Sequence, residues 1–425
     1  MAHIISCTVL ASLYLSLFLS FFFCFNPPPP QKGNREMKSV LKAGLEKDVD
    51  VIIPSSNLTV KEIQDQIPAK YFERSTLRSS LYVARDIAQC VAAYAVMYYC
   101  VVPFIAGVDS AIGGHPVGRG IVLTLKTWLW SIFWFAQGLN LTALWVMAHE
   151  CGHQAFSPHR QINNAVGLVL HSFILVPYHS WRITHGNHHK HTNHLTKDNV
   201  FVPRKESKII ELVEESPLAM LWGMFVMFFF GWPAYLLFNV ASQDYGRRAN
   251  HFEPSSPLFR PEDAEDIIVS DLGIVGMIFL LTIFTFKYGF SSFLCWYFVP
   301  YLWVNFWLLY ITYMQHSDIR LPHYSHDEWT FVRGAIAAVD RDYGWLLNEW
   351  LHHINDSHVV HHIFSQVPFY HAITITRKHI KEILGDTYIV DNRPLLKSLR
   401  KTWTDCRYVV PSEGVCVFHG FNKKR

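Results

Sequence analysis

Apolar and polar residues in this chain are gathered into blocks rather than alternating. Apolar blocks at residues 81–105, 121–148, 218–240, 269–286 and 291–314 are separated by polar stretches. Each approaches or exceeds the about 20 residues with which a helix crosses a bilayer, so each is predicted as a membrane helix. Lys126 lies near the start of the second block, where its long stem reaches the interface. Gly231-Trp232-Pro233 is expected to interrupt the third, and Lys287-Tyr288-Gly289-Phe290 to make a tight re-entry between the last two. A shorter piece, 166–177, carries His171 and stops at Pro177; its length suits a helix lying on the membrane or dipping into it.

The flanks differ in character. Residues 1–31 contain no Lys, Arg, Asp or Glu, and an apolar run at 4–25 ends in Asn26 and four prolines. With no basic residue before Lys32 the run lacks the start of a secretory signal, and it reads as an extra anchor, a cleaved segment or the product of an upstream start. Residues 32–80 are mixed in charge, and SNLTVKEIQDQIPAKYFERS predicts a short capped helix, a proline break and a turn in a cytosolic preface. Residues 81–390 form the membrane domain, and 391–425 are expected as a cytosolic tail with a basic end.

Composition strengthens the membrane reading: half of the 425 residues are hydrophobic, 15% aromatic and only 17% charged. A net charge of +3 is too small to argue for nucleic acid. The eight cysteines contain no CxxC pair, so neither a disulfide framework nor a zinc ribbon is suggested.

Histidine placement supplies the chemistry. His149 and His153 are four apart where the second block runs out, so on a helix they share a face. HGNHH sets His185, His188 and His189, and HVVHH sets His358, His361 and His362, at i, i+3, i+4. Any one of these is more simply an interface residue, but the matched HH pairs lift the set. Softness does not choose among iron, zinc, copper and nickel for an imidazole site. Number does: a zinc site closes with four ligands, or three plus water, whereas a two-metal iron centre uses all eight histidines.

Three clusters can meet only if an even number of crossings separates them. Three blocks lie between the second and third clusters, so 218–240 or 269–286 is expected in the membrane plane. Basic residues put the clusters on the cytosolic side, with Arg160, Lys190, Lys197, Arg204, Lys205 and Lys208 around the first two and Arg377, Lys378 and Lys381 after the third. The predicted fold is therefore an all-α integral membrane protein: about four transmembrane helices plus interfacial helices under a cytosolic helical cap that holds a histidine-rich di-metal site.

Two other classes compete. HECGH is also H-E-x-x-H, the zinc metalloprotease pattern with Glu150 as base. That reading leaves most of the histidines idle and sets Gly152 in the metal helix at a cost of about 1 kcal/mol against alanine. A metal transporter would want its ligands within the spans, and here they flank them.

With its motifs laid out, the sequence resembles the membrane-bound fatty acid desaturases, in particular their Δ12 and ω3 branch, over roughly residues 60–390. The resemblance is carried by AHECGHQAFS at 148–157, VPYHSWRITHGNHH at 176–189, TKDNVFVP at 196–203, SDLGI at 270–274, ITYMQHSD at 311–318, LPHY at 321–324, EWTFVRGA at 328–335, DRDYG at 340–344 and HVVHHIFSQVPFYHA at 358–372. It implies that His149, His153, His185, His188, His189, His358, His361 and His362 bind two iron ions, with His316 as a further ligand. It further implies an O2-dependent oxidoreductase of the endoplasmic reticulum membrane. Such an enzyme takes hydrogen from an unactivated methylene and its neighbour on a fatty acyl lipid, held on phosphatidylcholine or coenzyme A, to leave a cis double bond. The favoured outcome is oleoyl to linoleoyl.

No dinucleotide fingerprint follows a strand, and GGHPVG at 113–118 reads as a glycine turn rather than the haem motif of a fused cytochrome b5 domain. Electrons are therefore expected from a separate cytochrome b5 and its NADH reductase, docking on the basic surface. A homodimer is left open. Gly186-Asn187 and residues 190–194 depart from the common pattern beside box two, which keeps a divergent hydroxylase, conjugase or acetylenase as the alternative. His171, His179, His191, His194, His352 and His353 are expected around the ligands or in solvent, with His179 and His191 near enough to orient one.

Overall fold

A computed structural model describes residues 39–43, 49–203, 216–409 and 414–420. The apolar run at 4–25, the basic residues Arg204, Lys205 and Lys208, and the end at 421–425 lie outside the described residues. A hairpin of β1 (Ser39–Ala43) and β2 (Val49–Ile53) leads into α1 (Val60–Gln64). The predicted cap of α1 is present: the Thr59 side chain accepts from Glu62 N–H while the Glu62 carboxylate takes Thr59 N–H.

Among the described residues, five helices are long and apolar enough to cross a membrane: α2 (Thr76–Ile112), α3 (Pro116–Gly152), α6 (Pro217–Phe238), α7 (Pro261–Tyr288) and α8 (Phe290–His316). Between α3 and α6 come α4 (Arg160–Phe173), which exposes Val169 and Phe173, and α5 (Tyr178–His191). The cap follows α8 with α9 (His358–Ile363), a continuous helical run from Phe369 to Leu384, α10 (Leu395–Asp405) and several short helical turns. Short strands, absent from the all-α expectation, knit it together: β3 (Pro322–Tyr324), β4 (Val339–Arg341), β5 (Ile389–Asp391), β6 (Tyr408–Val409) and β7 (Val415–His419). β7 pairs antiparallel with β3 and β6, and β4 runs parallel to β5. Residues 395–405 and 415–419, expected in a tail, thus pack into the cap.

α3 is the axis, and the fifteen residues from Gln137 to Cys151 near its end are all buried. Gly138 makes that possible, because a Cβ there would fall 2.2 Å from the Trp303 side chain of α8. α7 and α8 form a hairpin turned at Gly289, whose φ of +86° suits glycine. At its start Asp266 takes a 2.7 Å ion pair from Arg182 and Ser270 Oγ accepts His179 N–H at 2.8 Å; at its end His316 stands against His188. The hairpin therefore leaves the cap and returns to it.

α6 behaves otherwise. Leu236 O accepts His251 N–H at 2.9 Å and Ala241 O accepts Val202 N–H at 3.1 Å, while Gly223 near its beginning abuts Trp403 of α10. The end of α6 is thus tied to Val202 and His251 and its first turns to α10, so of the five long apolar helices α6 is the one whose contacts suit the shallow course that the crossing parity asks for. Pro233 does not interrupt it, contrary to expectation. The carbonyl that Pro233 cannot serve, Phe229 O, instead accepts from Asn305 Nδ2 of α8 at 3.2 Å.

Candidate metal centre

On a helix, residues four apart lie about 40° apart around the axis and residues three apart about 60° to the other side. The boxes use this offset to serve two centres. His149, His153, His185, His189 and His361 bring ligand atoms within 4.8 Å of one another, and His188, His316 and His362 do the same. His358 joins the second group, with its Nε2 at 3.0 Å from those of His316 and His362. Box two is thus divided between the groups as His185 and His189 against His188, and box three as His361 against His358 and His362. His149 rises from the buried end of α3, and His316 is the last residue of α8.

Within the groups Nε2 faces Nε2: His149 and His153 at 3.2 Å, His185 and His189 at 3.1 Å, His188 and His316 at 3.3 Å. Neutral imidazoles gain little from crowding unprotonated nitrogens together. Imidazole bonds of about 2.0–2.1 Å to a first-row ion set adjacent ligand nitrogens roughly 3 Å apart, so the donor set fits a pair of metal ions. Seven of these rings are buried, and His153 and His185 reach the edge. Loss of hydration, and in each of them neighbouring imidazoles, holds His153, His185, His189, His358, His361 and His362 well below the ordinary imidazole value. Each therefore presents a free lone pair at neutral pH.

The surrounding groups fix the rings. Asp198 Oδ1 accepts from His188 Nδ1 at 2.7 Å, and Thr192 Oγ1 lies 3.1 Å from His362 Nδ1. Asp340 Oδ1 caps α9 by accepting Val359 N–H at 2.9 Å; burial pushes its carboxyl up to about 7, against the opposing hydrogen bond from the Tyr388 hydroxyl. The motif TKDNVFVP contains Asp198, but only the fold turns it back onto His188. His179 and His191, expected to orient ligands, face Asp266 at 3.7 Å and Asn187 O at 3.1 Å instead. The other four are buried rather than solvated: His171 lies between Trp145 and Trp181, His194 accepts Thr196 N–H, His352 pairs with Asp86 at 2.6 Å and His353 with Asp356.

Glu150 is ill placed for a protease base. It is buried, and its Oε2 accepts Phe369 N–H at 3.0 Å, which ties α3 to the segment after box three. Gly152 has a packing reason, since a Cβ there would press on Trp181 at 3.2 Å.

A cavity of about 580 Å³ opens from the imidazoles between α6 and α8. His149, His185, His188, His316 and His358 form one part of its wall, and Trp145, Trp181, Phe201, Val226, Phe230, Leu308 and Leu309 much of the rest. An oily slot lined at one place by metal-binding nitrogens suits an apolar chain that must be touched at one carbon.

Comparison with known proteins agrees. Residues 126–393 match the family described as fatty acid desaturase. The chain is similar to the Delta(12) fatty acid desaturase of Mortierella alpina, 41% identical over 85% of this chain and 90% of the relative. It is also similar to the Omega-6 fatty acid desaturase, endoplasmic reticulum, of Brassica juncea, 42% identical over 83% and 88%. The Delta(12) fatty acid dehydrogenase of Crepis alpina is 37% identical over 84% and 90%.

Proposed function

Since this chain belongs to the fatty acid desaturase family, we propose that it is an acyl-lipid Δ12 desaturase, converting an oleoyl to a linoleoyl chain by introducing a cis double bond. His149, His153, His185, His189 and His361 would hold one iron ion, and His188, His316, His358 and His362 the other. When bound, such a pair supplies the O2-dependent oxidation that removes two hydrogens from neighbouring methylenes. The relatives' names support the Δ12 reading.

The observation that carries the proposal is the continuity of the two imidazole groups with the apolar cavity. At about 580 Å³ the cavity falls within the range of pockets that take small apolar ligands, and its lining suits an acyl chain. Its aromatic and aliphatic walls exclude water and fix which carbons lie against the imidazole edge. Box two and box three supply ligands from buried, capped helices, so the rings do not need to move as the chain enters.

Electrons come from a separate cytochrome b5 and its NADH reductase, docking near the exposed Lys190 and Lys197 beside box two. With that electron supply the protein would sit in the endoplasmic reticulum membrane with the boxes cytosolic, an address that the name of the Brassica relative supports. Expression in a host whose unsaturated fatty acid is oleate, with chromatography of the methyl esters, tests the proposal. New linoleate is expected. A hydroxylated or acetylenic product would assign a divergent reaction, and unchanged lipid despite full accumulation of the protein would overturn the reading.

A further inference from the structure

Thr192 follows the last residue of α5 and lies between box two and box three. Its Oγ1 donates to the His188 carbonyl at 2.9 Å. The same oxygen lies 3.1 Å from His362 Nδ1. A hydroxyl has one proton to give; with that proton on His188 O, the contact to His362 forms only if Nδ1 carries the hydrogen. The lone pair of His362 is then on Nε2, the atom that faces His358 Nε2 at 3.0 Å.

The threonine is not free to choose another arrangement. It is fully buried, its carbonyl accepts Trp329 Nε1–H at 3.0 Å, and a side chain on Gly334 would strike that carbonyl at 2.4 Å. Backbone and side chain are both held, so the hydroxyl oxygen is presented to one ring in one direction. His188 is oriented by the Asp198 carboxylate; His362 meets a neutral oxygen instead, which pulls less on the Nδ1 proton and makes a less basic ligand.

We propose that Thr192 is a positioning residue that fixes the tautomer and ring direction of His362, so that box two sets the metal-binding atom of box three. This rests on the reading of the nine imidazoles as metal ligands.

The test uses full-length protein purified in detergent as wild type, Thr192→Val, Thr192→Ser and His362→Ala, with iron per chain measured against increasing chelator and linoleate production alongside. Thr192→Val keeps the shape and loses the acceptor; it should release iron at roughly 10- to 100-fold lower chelator, while Thr192→Ser, which keeps the hydroxyl, stays near wild type. The metal-free forms of all three should melt together. Wild-type retention by Thr192→Val, or equal loss in Thr192→Ser, overturns the proposal. If His362→Ala itself keeps both iron and activity, the metal reading fails and the proposal falls with it; if His362→Ala loses iron and Thr192→Val does not, only the role of Thr192 fails. Should Thr192→Val not accumulate, histidine 15N spectra of the metal-free wild type decide. The His362 signal, assigned by its absence in His362→Ala, must be that of the Nδ1–H form, and an Nε2–H form ends the proposal.

Discussion

At the scale of single residues, the centre depends on nitrogen atoms whose direction is set by a second group. His361 is the one imidazole of box three that faces the first group, beside His149 and His153. His361→Ala should therefore abolish product and lower iron content while the protein still reaches the membrane, read by methyl-ester chromatography and metal analysis; retained product would remove box three from the first group. Asp198 accepts from His188 Nδ1 and also from the backbone N–H groups of Asn193 and Val200. Asp198→Asn turns one acceptor into a donor among donors, so metal retention should fall about 10- to 100-fold, with the protein still folded by circular dichroism. Equal retention in the variant would leave His188 oriented by some other contact. The box histidines were legible because their spacing repeats; Asp198 and Thr192 were not, because each acts across a turn or between helices, where no sequence period connects donor to acceptor.

At the scale of elements, the five apolar blocks gave five helices, since block length and composition alone mark a segment that must satisfy its own backbone hydrogen bonds in lipid. What the pattern could not show was the compensation around Pro233. Proline reads as a break, yet α6 continues because α8 brings an amide to the orphaned Phe229 carbonyl. Asn305→Leu removes that partner and should lower stability by about 1 kcal/mol, seen as an earlier thermal transition in detergent with much of the activity retained. A Pro233→Ala, Asn305→Leu double change should recover most of the loss, because the helix then regains its own hydrogen bond. No loss in the single variant would mean that the carbonyl is satisfied another way. The end of α8 shows the same dependence: Arg341 Nε donates to Met314 O at 2.6 Å and its Nη2 to Ser317 O at 3.0 Å, with Asp391 and Asp318 balancing its charge. A segment expected as a tail thus helps to hold the helix that carries His316.

For the whole molecule, gathering so many neutral imidazoles has a consequence for stability. In the unfolded chain the six rings named above take up protons around the ordinary 6.5, whereas in the fold burial holds their values well below it. Below pH 6.5 the unfolded state therefore binds more protons, and stability falls with falling pH; above it both states are neutral and the rings contribute nothing to pH dependence. Each ring adds up to about 1.4 kcal/mol per pH unit in the window below 6.5, so the melting temperature of chelated protein should drop steeply between pH 7 and pH 5, and bound metal should blunt the drop. A flat profile across that range would show that the rings are hydrated in the metal-free state. The sequence by itself determined the membrane class, the five long apolar helices among the described residues, the three histidine boxes and the family, because each is written in local spacing, block length or an unbroken motif. Only the tertiary structure decided how α6 is tied to its neighbours, how each box divides between two groups, and which neutral or acidic side chain aims each ring. Those depend on residues far apart in the chain being brought within about 3 Å of one another, a distance at which hydrogen bonds form and which no local pattern encodes.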